Sequence, residues 1–338
     1  MPVRLKPLAR QTILVTGASS GIGLATARMA AARGAAVVLV ARDEPSLQGA
    51  VDGIRAAGGR AEYHVADVAD RPALDAAAAL AEERFGGLDS WVNDAGASIY
   101  GRFVNVPLED QRRLFETNYW GVVNGSLVAA ERLAARGGAI INLGSVLSDR
   151  AVPYQGTYCA TKHAVKAFTD AFRMELEIEG APISVTLIKP AAMDTPFQDH
   201  ARIRMDTPGV RVPPPVYDPR LAARAILHAC EHPRRDLVIG AGGAAISVMG
   251  TLFPRLTDLG MEMVARRLQV SDQPGLPEMR DNLHQGRPGG RVDSSLRGQP
   301  HRRTSLLLEA QLHPLATLAA AAGMAAAAFG AMAARRRR

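Results

Sequence analysis

Thr12-Ile13-Leu14-Val15-Thr16-Gly17-Ala18-Ser19-Ser20-Gly21-Ile22-Gly23 is the stretch of this 338-residue chain that decides its fold. The first half is a short run of apolar and β-branched residues, the composition of a buried strand. The second half sets Gly17, Gly21 and Gly23 ahead of a helical pattern that reaches Arg33. Strand, glycine turn and helix in that order build a phosphate cradle. Glycine lets the backbone approach a pyrophosphate, and the helix start offers unpaired N–H groups. Ser19, Ser20 and Ile22 lie in the same turn and join the three glycines as candidate cofactor contacts.

Outward from this stretch, short apolar runs alternate with alanine-rich helical patterns. The runs are Thr12 to Thr16, Ala36 to Val40, Ala61 to Val65, Leu88 to Asn93, Ala139 to Leu143, Ile183 to Lys189 and Asp236 to Ile239. Continuous apolar character suits strands covered on both faces. The expected fold is therefore α/β, a doubly wound, Rossmann-like parallel sheet of seven strands.

Farther along stands Tyr158-Cys159-Ala160-Thr161-Lys162, with Ser145 upstream at the end of Ile140-Ile141-Asn142-Leu143-Gly144. Residues four apart share a helix face, so an ammonium at Lys162 can ease ionisation of a phenol at Tyr158. That pair makes an acid or base for hydride chemistry, and Ser145 at a strand's carboxyl edge can hold the substrate oxygen.

Taken together these residues resemble the short-chain dehydrogenase/reductase family over roughly residues 10 to 240, on the glycine spacing Gly-x-x-x-Gly-x-Gly and Tyr-x-x-x-Lys. Further matches are Asp67-Val68, Ala95-Gly96, Asn118, and Pro190 through Thr195. The resemblance implies strand order 3-2-1-4-5-6-7 and an NAD(P)-dependent oxidoreductase that interconverts an alcohol and a ketone or aldehyde. It implies Ser145, Tyr158, Lys162 and Asn118 as catalytic residues, with Lys162 also holding the nicotinamide ribose. Asp67, Val68, Asn93, Ala95, Gly96, Pro190 and Thr195 complete the implied cofactor contacts, and a homo-oligomer is implied through helices beginning near Leu108 and Gln155. A nucleotide-binding regulator or scaffold without turnover is the alternative.

Two positions depart from the family pattern. Asn-Asn-Ala-Gly is Asn93-Asp94-Ala95-Gly96 here, and Pro-Gly is Pro190-Ala191, where alanine would resist a positive φ. At the end of the second strand Ala41 stands where a carboxylate would select NAD, and Arg42 follows it. NADP is the expected cofactor because a guanidinium pairs with a phosphate, while Asp43 keeps NAD open.

The formal charge of +7 belongs to one end of the chain. From residue 280 onward ten arginines face only Asp281, Asp293 and Glu309, so the preceding residues are neutral and carry no nucleic-acid footprint. Two cysteines, Cys159 and Cys230, show no metal spacing and point to a reduced, cytoplasmic setting. The apolar stretch near the start runs straight into the glycine turn and reads as a strand rather than a signal peptide.

Four regions follow from composition. Residues 1–240 form the catalytic domain, in which the proline-rich stretch from Ala191 to Pro219 offers Met193, Phe197, Met205 and Tyr217 as an apolar lid. Residues 241–271 form a helical extension near the substrate mouth, and 272–312 read as a linker or disordered segment. Residues 313–338 read as an alanine-rich helix ending in Arg335 to Arg338. At about 1.5 Å per residue its uncharged part would match a hydrocarbon core of about 30 Å, but a span would carry four arginines across. A span, an interfacial helix on anionic lipid and a soluble tail all stay open. With the apolar lid, this end suggests a lipophilic substrate.

Overall fold

Apolar runs in this chain are buried because helices cover them on both sides. The structure, a computed structural model, describes residues 3–296 and 301–324. Its strands are β1 (Thr12–Thr16), β2 (Ala36–Ala41), β3 (Arg60–Val65), β4 (Ser90–Asn93), β5 (Gly138–Leu143), β6 (Ile183–Pro190) and β7 (Asp236–Ile239). They form one parallel sheet in the order β3-β2-β1-β4-β5-β6-β7, the expected Rossmann-like arrangement. The order reverses between β1 and β4, and ligands of open sheets gather at the carboxyl ends beside such a reversal.

On one face lie α1 (Gly21–Ala32), α2 (Glu44–Ala56) and α7 (Pro219–Glu231), whose Leu24, Ala27, Leu47 and Ile226 are buried with Ile13, Val15 and Leu39. On the other lie α3 (Arg71–Phe85), α5 (Gly121–Leu133) and α6 (Gly156–Ile178), which bury Leu74, Val128 and Phe172 with Leu14 and Val38. Alternate residues of β1 thus feed opposite cores, the period of two that a strand imposes. Between β4 and α5, α4 (Leu108–Phe115) runs into a single π-helical turn, Glu116–Trp120.

The proline-rich stretch after β6 is pinned at three places. Arg202–Arg204 pairs with Ile99–Gly101, Gly209–Val210 with Val270–Ser271, and Val216–Tyr217 with His301–Arg302. Helices α8 (Ala241–Leu252) and α9 (Pro254–Gln269) follow β7, and both contribute residues to the wall of a cavity.

Beyond α9 the chain departs from a free linker. Residues 280–296 lie against the glycine loop, α2 and the proline-rich stretch, and α10 (Leu306–Leu312) buries Leu308 and Leu312 in the core beside β7. The Gln311 amide accepts from Val238 N–H at 2.9 Å and donates to the Val238 carbonyl at 2.8 Å. A side chain so completes the edge strand's hydrogen bonds and covers the edge. Composition missed residues 280–296 because they are held by main-chain bonds and glycine contacts rather than by a periodic apolar face. Residues 314–324 are helical, with Leu315, Leu318 and Met324 exposed; the remainder of the expected tail helix, 325–338, lies outside the described residues. Among the described residues no helix is long and apolar enough to cross a membrane.

Candidate active site

A cavity of about 440 Å³ opens at the carboxyl ends of the strands, and one of its walls is the quoted glycine turn. Gly17 has φ +69°, and a Cβ there would stand 2.8 Å from the backbone of Ala95. A Cβ on Gly23 would stand 2.5 Å from the Gly17 carbonyl oxygen. Both contacts are closer than any side chain permits, so glycine is what lets the loops after β1 and β4 meet. Thr16 fixes that meeting, its Oγ1 accepting from the N–H groups of Asp94 at 3.1 Å and Ala95 at 3.2 Å. Ser19, Ser20, Gly21 and Ile22 face the cavity at the start of α1, where the helix's positive end lies. Thr195 approaches Gly21 from across the cavity, and Pro190 lines it too.

Arg42, Asp67 and Val68 line the end beyond β2 and β3, where the two charges are engaged by other groups of the protein. Asp67 is paired with Arg113 and lies 3.8 Å from Arg42. The Arg42 guanidinium donates to the carbonyls of Asn282 and Leu283, residues from the region read as a linker. Asn282, Gly286 and Arg287 also line this end, and sequence reasoning missed all three. The available signal was the concentration of arginine there against a neutral body.

At the other end stand Ser145, Tyr158 and Lys162. Ser145 leaves β5 as the cap of a short 3-10 turn, its Oγ accepting from Leu147 N–H at 3.0 Å, so its proton stays available to donate. Lys162, one turn beyond Tyr158 on α6, donates to the Leu143 carbonyl at 2.6 Å and sits 5.8 Å from the Tyr158 ring centre. Burial pushes the phenol above its ordinary pKa, reinforced by the neighbouring Cys159 and opposed by the Ser145 hydroxyl. Lys162 is not among the groups that move the phenol; desolvation of the phenolate governs it. Burial also pushes Lys162 down to about 8, with Asp94 pulling the other way. Asp94 itself is pushed up to about 7 by burial, against Lys162 and the Gly23 N–H.

Three predicted residues stand behind the wall rather than on it. Asn93 bonds Asn142, Ser126 and Trp91 inside the α5 packing, and Gly23 is covered by Gly17 and Asp94. Asn118 in the π-helical turn accepts from Ala97 N–H at 2.8 Å and donates to Thr161 at 3.1 Å, tying α6 to the loop after β4. Ala95 and Gly96 remain on the wall. Ala191 is not among the residues with positive φ; the strain expected from the missing glycine does not arise, and Gly240 instead stays bare beside its methyl.

Met193, Phe197 and Tyr217 line the cavity near Tyr158, with Phe197 5.6 Å from its ring. Met205 does not; it packs against Tyr100, Ala201 and Val210 in a separate small cluster. Met261, Val264 and Leu268 of α9 close the apolar side.

A family model described as short chain dehydrogenase matches residues 11–206. An uncharacterized oxidoreductase, YxnA, of Bacillus subtilis (strain 168) is 41% identical over 326 residues, covering 96% of this chain and 91% of that protein. That match therefore includes residues 272–296. A putative ketoacyl reductase 1 of the granaticin polyketide synthase of Streptomyces violaceoruber is 38% identical, over 57% of this chain and 72% of its own length. Among solved structures, an alcohol dehydrogenase from the archaeon Thermococcus sibiricus, complexed with 5-hydroxy-NADP, superposes with a TM-score of 0.59 at 26% identity. It covers 68% of this chain and 95% of its own.

Proposed function

The chain belongs to the short-chain dehydrogenase family, and from that premise we propose that it is an NADP-dependent oxidoreductase interconverting a lipophilic alcohol with its ketone or aldehyde. The observation that carries this reading is that the Ser145, Tyr158 and Lys162 end and the glycine-loop end belong to one cavity.

The residues present fit a dinucleotide. A turn that Gly17 and Gly23 allow to pack against the loop after β4, with Ser19, Ser20, Gly21 and Ile22 on the cavity wall at the positive start of α1, suits a pyrophosphate. Thr195 faces the same gap from β6's loop, and Arg42 without a carboxylate at Ala41 favours the 2′-phosphate of NADP. The neighbour's complex with an NADP derivative supports the same choice.

A bound nicotinamide would supply or accept the hydride. Tyr158, held protonated by burial, gives its proton to the oxygen that becomes the alcohol, and Ser145 donates a hydrogen bond to that oxygen. Lys162 stands behind the phenol, anchored on Leu143, to hold the nicotinamide ribose. Asn118 keeps α6 and the loop after β4 in register with it. Phe197, Met261, Val264 and Leu268 give the substrate an apolar wall, which supports a lipophilic carbonyl.

Pairing of two copies is read on α4 and α6, where Leu108, Met174 and Ile178 are exposed. A contact of 313–338 with anionic lipid remains part of the reading. The reaction is tested by titrating the protein with NADPH and NADH, then adding ketones and aldehydes of increasing chain length while nicotinamide absorbance is followed. Tighter NADPH binding with turnover that rises with substrate apolarity is expected. Binding without turnover on any carbonyl overturns the enzyme, and turnover confined to small polar carbonyls overturns the lipophilic substrate.

A further inference from the structure

Between Arg280 and Ser295 the chain crosses the end of the cavity where the glycine loop and Arg42 stand, and it is bonded to both. Gly290 N–H donates to the Ser19 carbonyl at 2.7 Å, and Gly21 N–H donates to the Arg291 carbonyl at 2.9 Å. Gly289 N–H donates to Ser46 Oγ at 2.8 Å, at the start of α2. Arg113 Nε donates to the Leu283 carbonyl at 3.1 Å, beside the Arg42 bonds to Asn282 and Leu283. The approach depends on glycine: a Cβ at Gly289 would stand 2.5 Å from the Ser19 carbonyl oxygen, and one at Gly286 would stand 3.1 Å from the Arg42 backbone.

This segment bounds the cavity and does not fill it, since Asn282, Gly286 and Arg287 line the same space as Ser19, Ser20 and Arg42. Two of its side chains are poised for a ligand. Arg287 is exposed and makes no ion pair among the described residues, its Nε reaching only the Asp281 carbonyl at 3.5 Å. Asn282 Oδ1 is buried with no hydrogen-bond partner, an acceptor that a buried site leaves unpaired at a cost. A cation on the wall that Ser19 and Ser20 also line, with an orphan acceptor beside it, matches a phosphorylated ligand that also bears an amino group.

We propose that residues 282–291 are the second wall of the cofactor site, a clamp on the adenosine end of the dinucleotide with Arg287 directed to its phosphates and Asn282 to its base. The proposal rests on the dinucleotide reading above. Arg42 then joins the two walls: the carbonyls of Asn282 and Leu283 take part of its donor set, and the rest of its five N–H groups stay for phosphate. Since the clamp must open for the cofactor to leave, its removal falls chiefly on the dissociation rate.

The test compares wild type, Arg287→Ala and Gly289→Val in the full chain, by fluorescence titration with NADPH and with NADH and by stopped-flow release of each. Arg287 is exposed, so its removal leaves folding intact; a thermal melt checks Gly289→Val. Arg287→Ala should weaken NADPH about tenfold and NADH less, the effect of removing a single charge-assisted hydrogen bond to phosphate. Gly289→Val should speed release of both about tenfold by lifting the segment off Ser19. In wild type, NADPH should also slow tryptic cleavage after Arg291. Variants that bind and release both nucleotides as wild type does, or bind them more tightly, overturn the clamp alone. A wild type that binds neither nucleotide overturns the dinucleotide reading and the clamp with it.

Discussion

The glycine turn between β1 and α1 and the segment from Arg280 to Ser295 reach the same cavity, yet they are held there by different forces. The first is fixed from below: Ile13, Leu14 and Val15 are wholly buried, and the turn cannot move without withdrawing them from the core. The second buries little of its own beyond Leu283 and Val292, and is held by main-chain bonds to Ser19 and Gly21 and by ion pairs such as Arg220 with Asp293. Burial of apolar strands gives a rigid catalytic frame, whereas a segment held by a few exchangeable hydrogen bonds is able to open. A rigid wall facing one that opens suits a cofactor that has to enter and leave.

The difference can be broken most severely at the frame. Tyr158→Phe keeps the ring packed against Phe197 and removes only the proton, so turnover should fall about a thousandfold while NADPH affinity stays nearly unchanged. Steady-state rates and a binding titration on the same sample check it, and retained turnover would remove Tyr158 from the chemistry.

The next effect asks where the frame ends. Leu308 of α10 is fully buried although it follows the exposed segment, and Leu308→Ala should lower stability by about 3 kcal/mol in a urea melt. A cost near zero would place α10 with the loosely held segment. Its ties to the frame, Arg224 to Glu309 and Gln311 to Val238, argue for the larger figure.

Asp94 probes strain inside the frame. Its folded carboxyl titrates about 7 against 3.8 for an unburied one, so the unfolded chain ionises first and the native state loses stability as pH rises from about 4 to about 7. Asp94→Asn should therefore raise stability on the order of 2 kcal/mol at pH 7.5 and leave it unchanged near pH 4. Melting curves at the two pH values read this directly, and an equal effect at both would mean that the carboxyl is not buried in its charged form.

The smallest effect belongs to the opening wall. Arg220→Ala breaks a half-exposed pair with Asp293, which should change global stability by less than about 1 kcal/mol. Hydrogen exchange of residues 281–295 should nevertheless quicken while β1 is unaffected. Exchange unchanged in both would show that the main-chain bonds alone hold the segment.

How much of this was legible follows the same division. Each strand and the glycine turn could be read because apolar runs and glycine spacing are local marks of burial and close approach, whereas the order of the sheet came from the family resemblance alone. Ser145, Tyr158 and Lys162 were legible through spacing and family pattern, and they do meet in one cavity. The direction of the Tyr158 shift was misread because spacing shows that an ammonium is near, but not how much water is excluded. Asn93 was given to the cofactor and Asn118 to the catalytic set; their amides bond Asn142 and Ala97 inside the protein, partners that neither residue's position in the sequence reveals. Met205 was assigned to the lid on its apolarity, which does not tell one buried cluster from another.

By itself the sequence determined the buried strands, the glycine turn between β1 and α1 and the spacing of Tyr158 and Lys162, since each rests on contacts or spacings within a few residues. Only the tertiary structure decided that Gly286, Gly289 and Gly290 lie on Arg42 and the glycine loop, more than two hundred residues away. Main-chain hydrogen bonds leave no mark in composition: any residue can make them, and where they form depends on which distant backbone the fold brings alongside.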